Sequence, residues 1–99
     1  MQSSYPDGFD REMTCTEAEW LRALPQAIGD RVWTMLPDGA DVRLGNGALA
    51  LRWEMGAPRV IGLAPMPRLH VRFRFIGLDE AERHAFMKRF DLYMQRGGG

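Results

Sequence analysis

Residues 68–75, RLHVRFRF, alternate without a fault between polar and apolar side chains. Leu69, Val71, Phe73 and Phe75 share one parity, and Arg68, His70, Arg72 and Arg74 share the other. A strand turns successive side chains to opposite faces, so this segment lays an apolar row on a core and a cationic row away from it. A slip of one residue would expose the whole apolar row, which pins the register. A sheet with one covered face and one open face is the fold this demands.

The rest of the chain supplies partners for that strand. Leu49, Leu51, Trp53 and Met55 alternate with Ala48, Ala50, Arg52 and Glu54, and Val42 and Leu44 alternate with Asp41 and Arg43. Between these two runs stands Gly45-Asn46-Gly47, a hairpin signal because tight hairpin turns need positive φ. Residues 31–36 read as a strand ended by the turn Pro37-Asp38-Gly39, and residues 59–63 as another. Residues 64–68, APMPR, hold two prolines and read as a connection, since proline cannot donate to a ladder.

Helices are expected at both ends. Thr14 with Glu17 and Thr16 with Glu19 are nested capping-box candidates, followed by Trp20, Leu21, Leu24 and Ile28 at helical spacing and by Gly29 as a stop. Pro25 predicts a kink or break at Leu24. Asp79 opens a second helix with acids in its first turn and an apolar stripe of Phe86, Phe90, Tyr93 and Met94. The predicted fold is an α+β two-layer sandwich: a five-stranded antiparallel meander with the N- and C-terminal helices on one face. Leu49, Leu51, Trp53, Leu69, Val71, Phe73, Phe75, Phe86 and Phe90 are its predicted core.

At 99 residues the chain has room for one domain, expected over residues 14–96. Residues 1–13 mix Ser, Pro, Gly and acids and read as a disordered lead-in, with Met13 an alternative start. Gly97-Gly98-Gly99 resembles, over those three residues, the exposed Gly-Gly tails of ubiquitin-like sulfur carriers and modifiers. There the tail leaves a strand, whereas here a helix runs almost into it, so a helix cap with a flexible end is expected.

Thirteen basic and thirteen acidic residues cancel, which argues against a dedicated nucleic-acid binder. Their placement is uneven. Residues 1–30 carry six acids against Arg11 and Arg22, a net of −4, and residues 43–74 carry six arginines against Glu54, a net of +5. If the strands over residues 41–44, 48–55 and 68–76 turn their apolar sides to the helices, Arg43, Arg52, His70, Arg72 and Arg74 share the opposite face with Glu54. They form the candidate surface for an anion or a partner. The aromatics of these strands fall on the core side, so base stacking is not provided for. A polar outer row of arginines is also what any half-covered sheet requires.

Other chemistries find little support. His70 sits among arginines and His84 has no ligand at i+4, so no metal is expected. Cys15 is the only cysteine, which excludes an intrachain disulfide and predicts an inert thiol. There is no Walker loop, dinucleotide fingerprint, serine–histidine–acid set or pair of carboxylates on one strand face, and no cofactor is expected. Without an apolar run of membrane-spanning length or a signal-peptide pattern, the expected location is cytoplasmic. Leu78, Ala81, Ala85 and Leu92 form a thinner stripe on the last helix, which either widens the core face or marks a subunit contact. The expected function is a small non-enzymatic interaction module, acting with a protein partner or by self-association. Nucleic-acid or anion binding through the arginine face is the alternative.

Overall fold

A computed structural model describes residues 4–62 and 64–96. Its elements run β1 (Gly8–Met13), α1 (Glu17–Ile28), β2 (Trp33–Leu36), β3 (Gly39–Leu44), β4 (Gly47–Met55), β5 (Arg59–Ile61), β6 (Ala64–Met66), β7 (Leu69–Ile76) and α2 (Glu80–Arg96). Five strands form one antiparallel sheet in the order β1-β7-β4-β3-β2, and β5 and β6 form a separate two-stranded ribbon. The order β2, β3, β4, β7 follows the chain as a meander, with the ribbon projecting between β4 and β7.

Both helices cover the same face. Trp20 of α1 meets Trp53 edge-on at 5.4 Å, while Phe90 and Phe86 of α2 meet Phe73 and Phe75 at 5.5 and 5.9 Å. Trp20 also packs on Phe90 at 5.9 Å, which ties the helices to one another over the sheet. Every predicted core residue is buried, joined by Val42, Leu24, Ile28 and Met87. Burying each of the larger apolar side chains contributes roughly 1.5–3 kcal/mol in transfer terms.

Three expectations are corrected. Residues 8–13, read as a lead-in, form the outer strand β1: Asp10 is in register with Arg72 and Phe9 with Phe73. Phe9 stacks on Phe73 at 4.8 Å, and that aromatic contact on the core side, with a full ladder, outweighs the coil-forming composition before it. The segment from Arg59 does not join the main sheet. It pairs instead with Ala64–Met66, the segment read as a connection; in a two-stranded ribbon every strand is an edge, so Pro65 removes no ladder bond that the fold needs. The helix also continues through Pro25 to Ile28 rather than breaking at Leu24. Pro25 and Leu21, the residue whose carbonyl loses its helical donor to the proline, are both exposed, so the missing bond falls on the solvent side of the helix.

The helix starts are well defined. Thr16, not Thr14, caps α1: Glu19 N–H donates to Thr16 Oγ1 at 3.1 Å, and Thr16 N–H donates to Glu19 Oε1 at 2.8 Å. Asp79 and Glu82 repeat the reciprocal pair before α2, with both bonds at 2.9 Å. Residues 97–99, expected to be a flexible tail, lie outside the described residues.

Candidate binding surface

The face opposite the helices is open, and strand parity decides what stands on it. β7 contributes His70, Arg72 and Arg74, β4 contributes Ala48, Ala50, Arg52 and Glu54, and β3 contributes Asp41 and Arg43. The sheet therefore brings the five predicted residues, Arg43, Arg52, His70, Arg72 and Arg74, onto one surface. The edge strand β1 adds Asp10 and Glu12 to it. Four arginines thus share this face with four carboxylates, Asp10, Glu12, Asp41 and Glu54. The acidic N-terminus is the sheet's own counter-charge.

Registration explains the pairing. Asp10, Arg72 and Arg52 lie in one row across three strands. Like charges directly opposite on neighbouring strands repel, and Arg72 and Arg52 are such a pair. Each turns to a carboxylate on its far side: Arg72 Nε lies 3.3 Å from Asp10 Oδ1, and Arg52 Nη1 lies 3.0 Å from Asp41 Oδ1. His70 Nε2 is 3.4 Å from the other Asp10 oxygen. Glu12 holds Arg59 at 3.0 Å and Arg68 at 3.4 Å, which anchors the foot of the ribbon to β1. Among the described residues, Arg43, Arg74 and Glu54 make no ion pair.

The Arg52 side chain is also bound by the backbone, donating to the Leu51 carbonyl at 2.6 Å. It crosses Gly39, where a Cβ would collide with that carbonyl and lie 2.7 Å from Arg52 Cδ. Glycine at 39 is therefore a packing requirement of the arginine as well as a turn residue. Between Arg52 and Arg72 a shallow groove of about 260 Å³ opens, lined also by Glu54, His70 and Asp38. Ala48 and Ala50 leave the neighbouring surface low in relief.

A second polar cluster sits on the helix side and was not anticipated. Arg11 points inward from β1, reaches Asp91 of α2 through its two terminal guanidinium nitrogens, Nη1 and Nη2, at 2.5 and 3.0 Å, and lies 5.5 Å over the Phe73 ring. The buried Tyr5 hydroxyl donates to the same carboxylate at 3.2 Å. Burial opposes charge on Arg11, but Asp91 outweighs it and raises the guanidinium pKa; burial and Asp91 together push the Tyr5 phenol up. Arg83 completes the clasp by donating to the Tyr5 carbonyl at 2.8 Å. The group holds the N-terminal segment to α2. The alternation Phe9, Arg11, Met13 was its only trace in the sequence, and the central arginine disguised it.

The other singled-out residues are placed as follows. Cys15 is buried, and burial, then Glu19, raise its pKa, so the thiol is shielded and protonated at neutral pH. Leu78, which precedes α2, packs partly against the core, whereas Ala81, Ala85 and Leu92 on α2 are exposed. The stripe therefore does not widen the core beyond Leu78. Leu78 and Ala85 line a small cleft of about 220 Å³ with Phe86, Leu44 and Arg31. Among the described residues no group of His, Cys, Asp and Glu is placed to hold a metal ion, and no helix is long and apolar enough to cross a membrane.

A scan against protein-family models gives no match. Neither the curated proteins nor the solved structures contain a match to this chain.

Proposed function

We propose that this chain is a non-enzymatic interaction module that meets a protein partner through the outer face of its sheet. One observation carries the reading: the face is densely charged yet compensated within itself, arginine beside carboxylate across β1, β7, β4 and β3. A balanced face generates little long-range attraction for a polyanion, which responds to summed charge. It offers a pattern of alternating sign, which selects a partner with the complementary pattern and fixes its orientation. The pairs are solvent-exposed, each worth roughly 0.2–1 kcal/mol, so they exchange readily for a partner's groups. The location that suits a chain with one buried, unpaired cysteine is the cytoplasm.

A second reading, anion binding on the same face, is favoured by Arg74, which stands beside Arg72 with no carboxylate of its own. One pair of measurements separates the two. Crosslinking of the wild type in its native cells, followed by mass spectrometry, is compared with Arg52→Glu/Arg72→Glu. We expect the variant to lose the wild-type partners while its fold persists, and the wild type to ignore an oligonucleotide at physiological salt. Unchanged partners in the variant overturn the interaction reading. Salt-sensitive oligonucleotide binding that disappears in Arg72→Glu/Arg74→Glu replaces it with the anion reading.

A further inference from the structure

The sheet has two edges, and only one is guarded. β1 carries Asp10 and Glu12 outward and Arg11 inward, and an inward-pointing charge on an edge strand discourages further strands from adding. β2, Trp33–Leu36, has no charged side chain. Beside it Val32 is 74% exposed and within it Met35 is 47% exposed, large apolar groups at a place that nothing among the described residues covers.

The phase of the ladder shows which backbone groups are open. Arg43 N–H donates to the Val32 carbonyl at 2.9 Å, and the β2–β3 register places these two residues opposite each other. Hydrogen-bonded and non-bonded pairs alternate along an antiparallel ladder. Val32, Thr34 and Leu36 therefore turn their backbone groups toward β3, and Trp33 and Met35 turn theirs outward.

We propose that β2 pairs with β2 of a second copy of this chain, antiparallel about a two-fold axis through Thr34. For the two sheets to continue with their covered faces on the same side, paired residues must share parity. The bonded pairs must also be the outward-facing ones. Centring on Thr34 meets both conditions: Trp33 pairs with the partner's Met35 and Met35 with the partner's Trp33, using every outward N–H and C=O of the strand. Centring on Met35 would set Trp33 against Pro37, which has no N–H, and centring on Trp33 would set Met35 against Arg31, outside the strand. In the Thr34 register every cross-pair is apolar or hydroxyl: Trp33 with Met35, Val32 with Leu36, Thr34 with itself. Methionine sulfur against an indole ring is a favourable contact, and it occurs twice. The strand is its own complement.

This association uses backbone groups at one edge and is independent of the outer-face reading. Sedimentation equilibrium of the full chain from micromolar to near-millimolar concentration tests it, with hydrogen exchange alongside. The wild type should rise from 11.3 kDa to twice that mass, and the Trp33 and Met35 amides should gain protection as it does. Met35→Pro removes an N–H that points away from β3, so the strand's own ladder survives while the pairing is lost. Met35→Lys adds the charge that this edge lacks. Both should remain at 11.3 kDa with melting curves close to wild type. If Met35→Pro does not fold, Met35→Lys decides alone. A wild type that stays monomeric throughout overturns the proposal. So does a dimer that survives folded Met35→Lys, whether or not Ala85→Glu abolishes it; loss in Ala85→Glu would move the contact to α2.

Discussion

The two faces of β7 solve different problems with the same eight residues. On one, Leu69, Val71, Phe73 and Phe75 are enclosed by two helices and contribute through shape. On the other, His70, Arg72 and Arg74 stand in solvent, and the ion pairs there join side chains that are 41–65% exposed. An enclosed side chain cannot be replaced without leaving a void, whereas an exposed pair can dissolve into water at little cost. Stability therefore sits on one face, and the other is free to be arranged for recognition.

The sharpest way to break that comparison is Phe73→Ala. Its ring stacks on Phe9 and meets Phe90 edge-on, so truncation should cost about 3–5 kcal/mol by chemical denaturation. A loss below about 1 kcal/mol would show that the inner face is not the source of stability. Asp91→Ala tests a place where charge sits on the covered side. It strips Arg11 and Tyr5 of their shared acceptor, and a loss of about 1–3 kcal/mol is expected. Making Arg11 apolar as well should recover part of that, because removing both partners of a part-buried pair is milder than orphaning one.

The cap that positions α1 over the covered face ranks next. Thr16→Ala should cost about 1 kcal/mol in thermal or denaturant unfolding. Hydrogen bonds from the Thr16 backbone and hydroxyl lower the Glu19 carboxyl pKa in the folded chain. A carboxyl whose folded pKa is depressed stabilises above its unfolded value and loses that contribution as pH falls through the folded one. The melting-temperature gap between wild type and Glu19→Gln should therefore close as pH drops through the carboxylate range; a gap constant down to strong acid contradicts the cap. The smallest effect belongs to the outer face: Arg72→Ala should change stability by less than about 0.5 kcal/mol. A loss above about 1.5 kcal/mol would mean that the open face shares the structural load.

What could be read from the sequence followed how local the deciding interaction was. β7 and β4 were legible because their alternation is complete, and the β3–β4 hairpin because glycine marks its turn, Gly45-Asn46, where Gly45 takes the positive φ. α1 was legible through Thr16 and Glu19, three residues apart. β1 was not, because its inward Arg11 breaks the period, and the Asp91 that makes an inward arginine tolerable is 80 residues away. Residues 59–66 were misplaced because prolines bar a central strand without barring a two-stranded ribbon. For the open face, the cationic row was legible and its compensation was not. Asp10 and Glu12 reach it only through the pairing of β1 with β7, a contact that no local pattern announces.

That pairing has a consequence for how the chain is made. Residues 8–13 leave the ribosome well before their ladder partner, residues 69–74, and their clasp, Asp91. The hairpins β2–β3 and β3–β4 close over short loops as soon as they emerge, whereas β1 must wait until β7 has been made. Contacts between distant segments slow folding, since the closure entropy is spent before the contacts form. Until β1 docks on β7, the β7 edge and one side of the Phe73 ring remain open. During synthesis, a chaperone that recognises unpaired strand edges would have its window there.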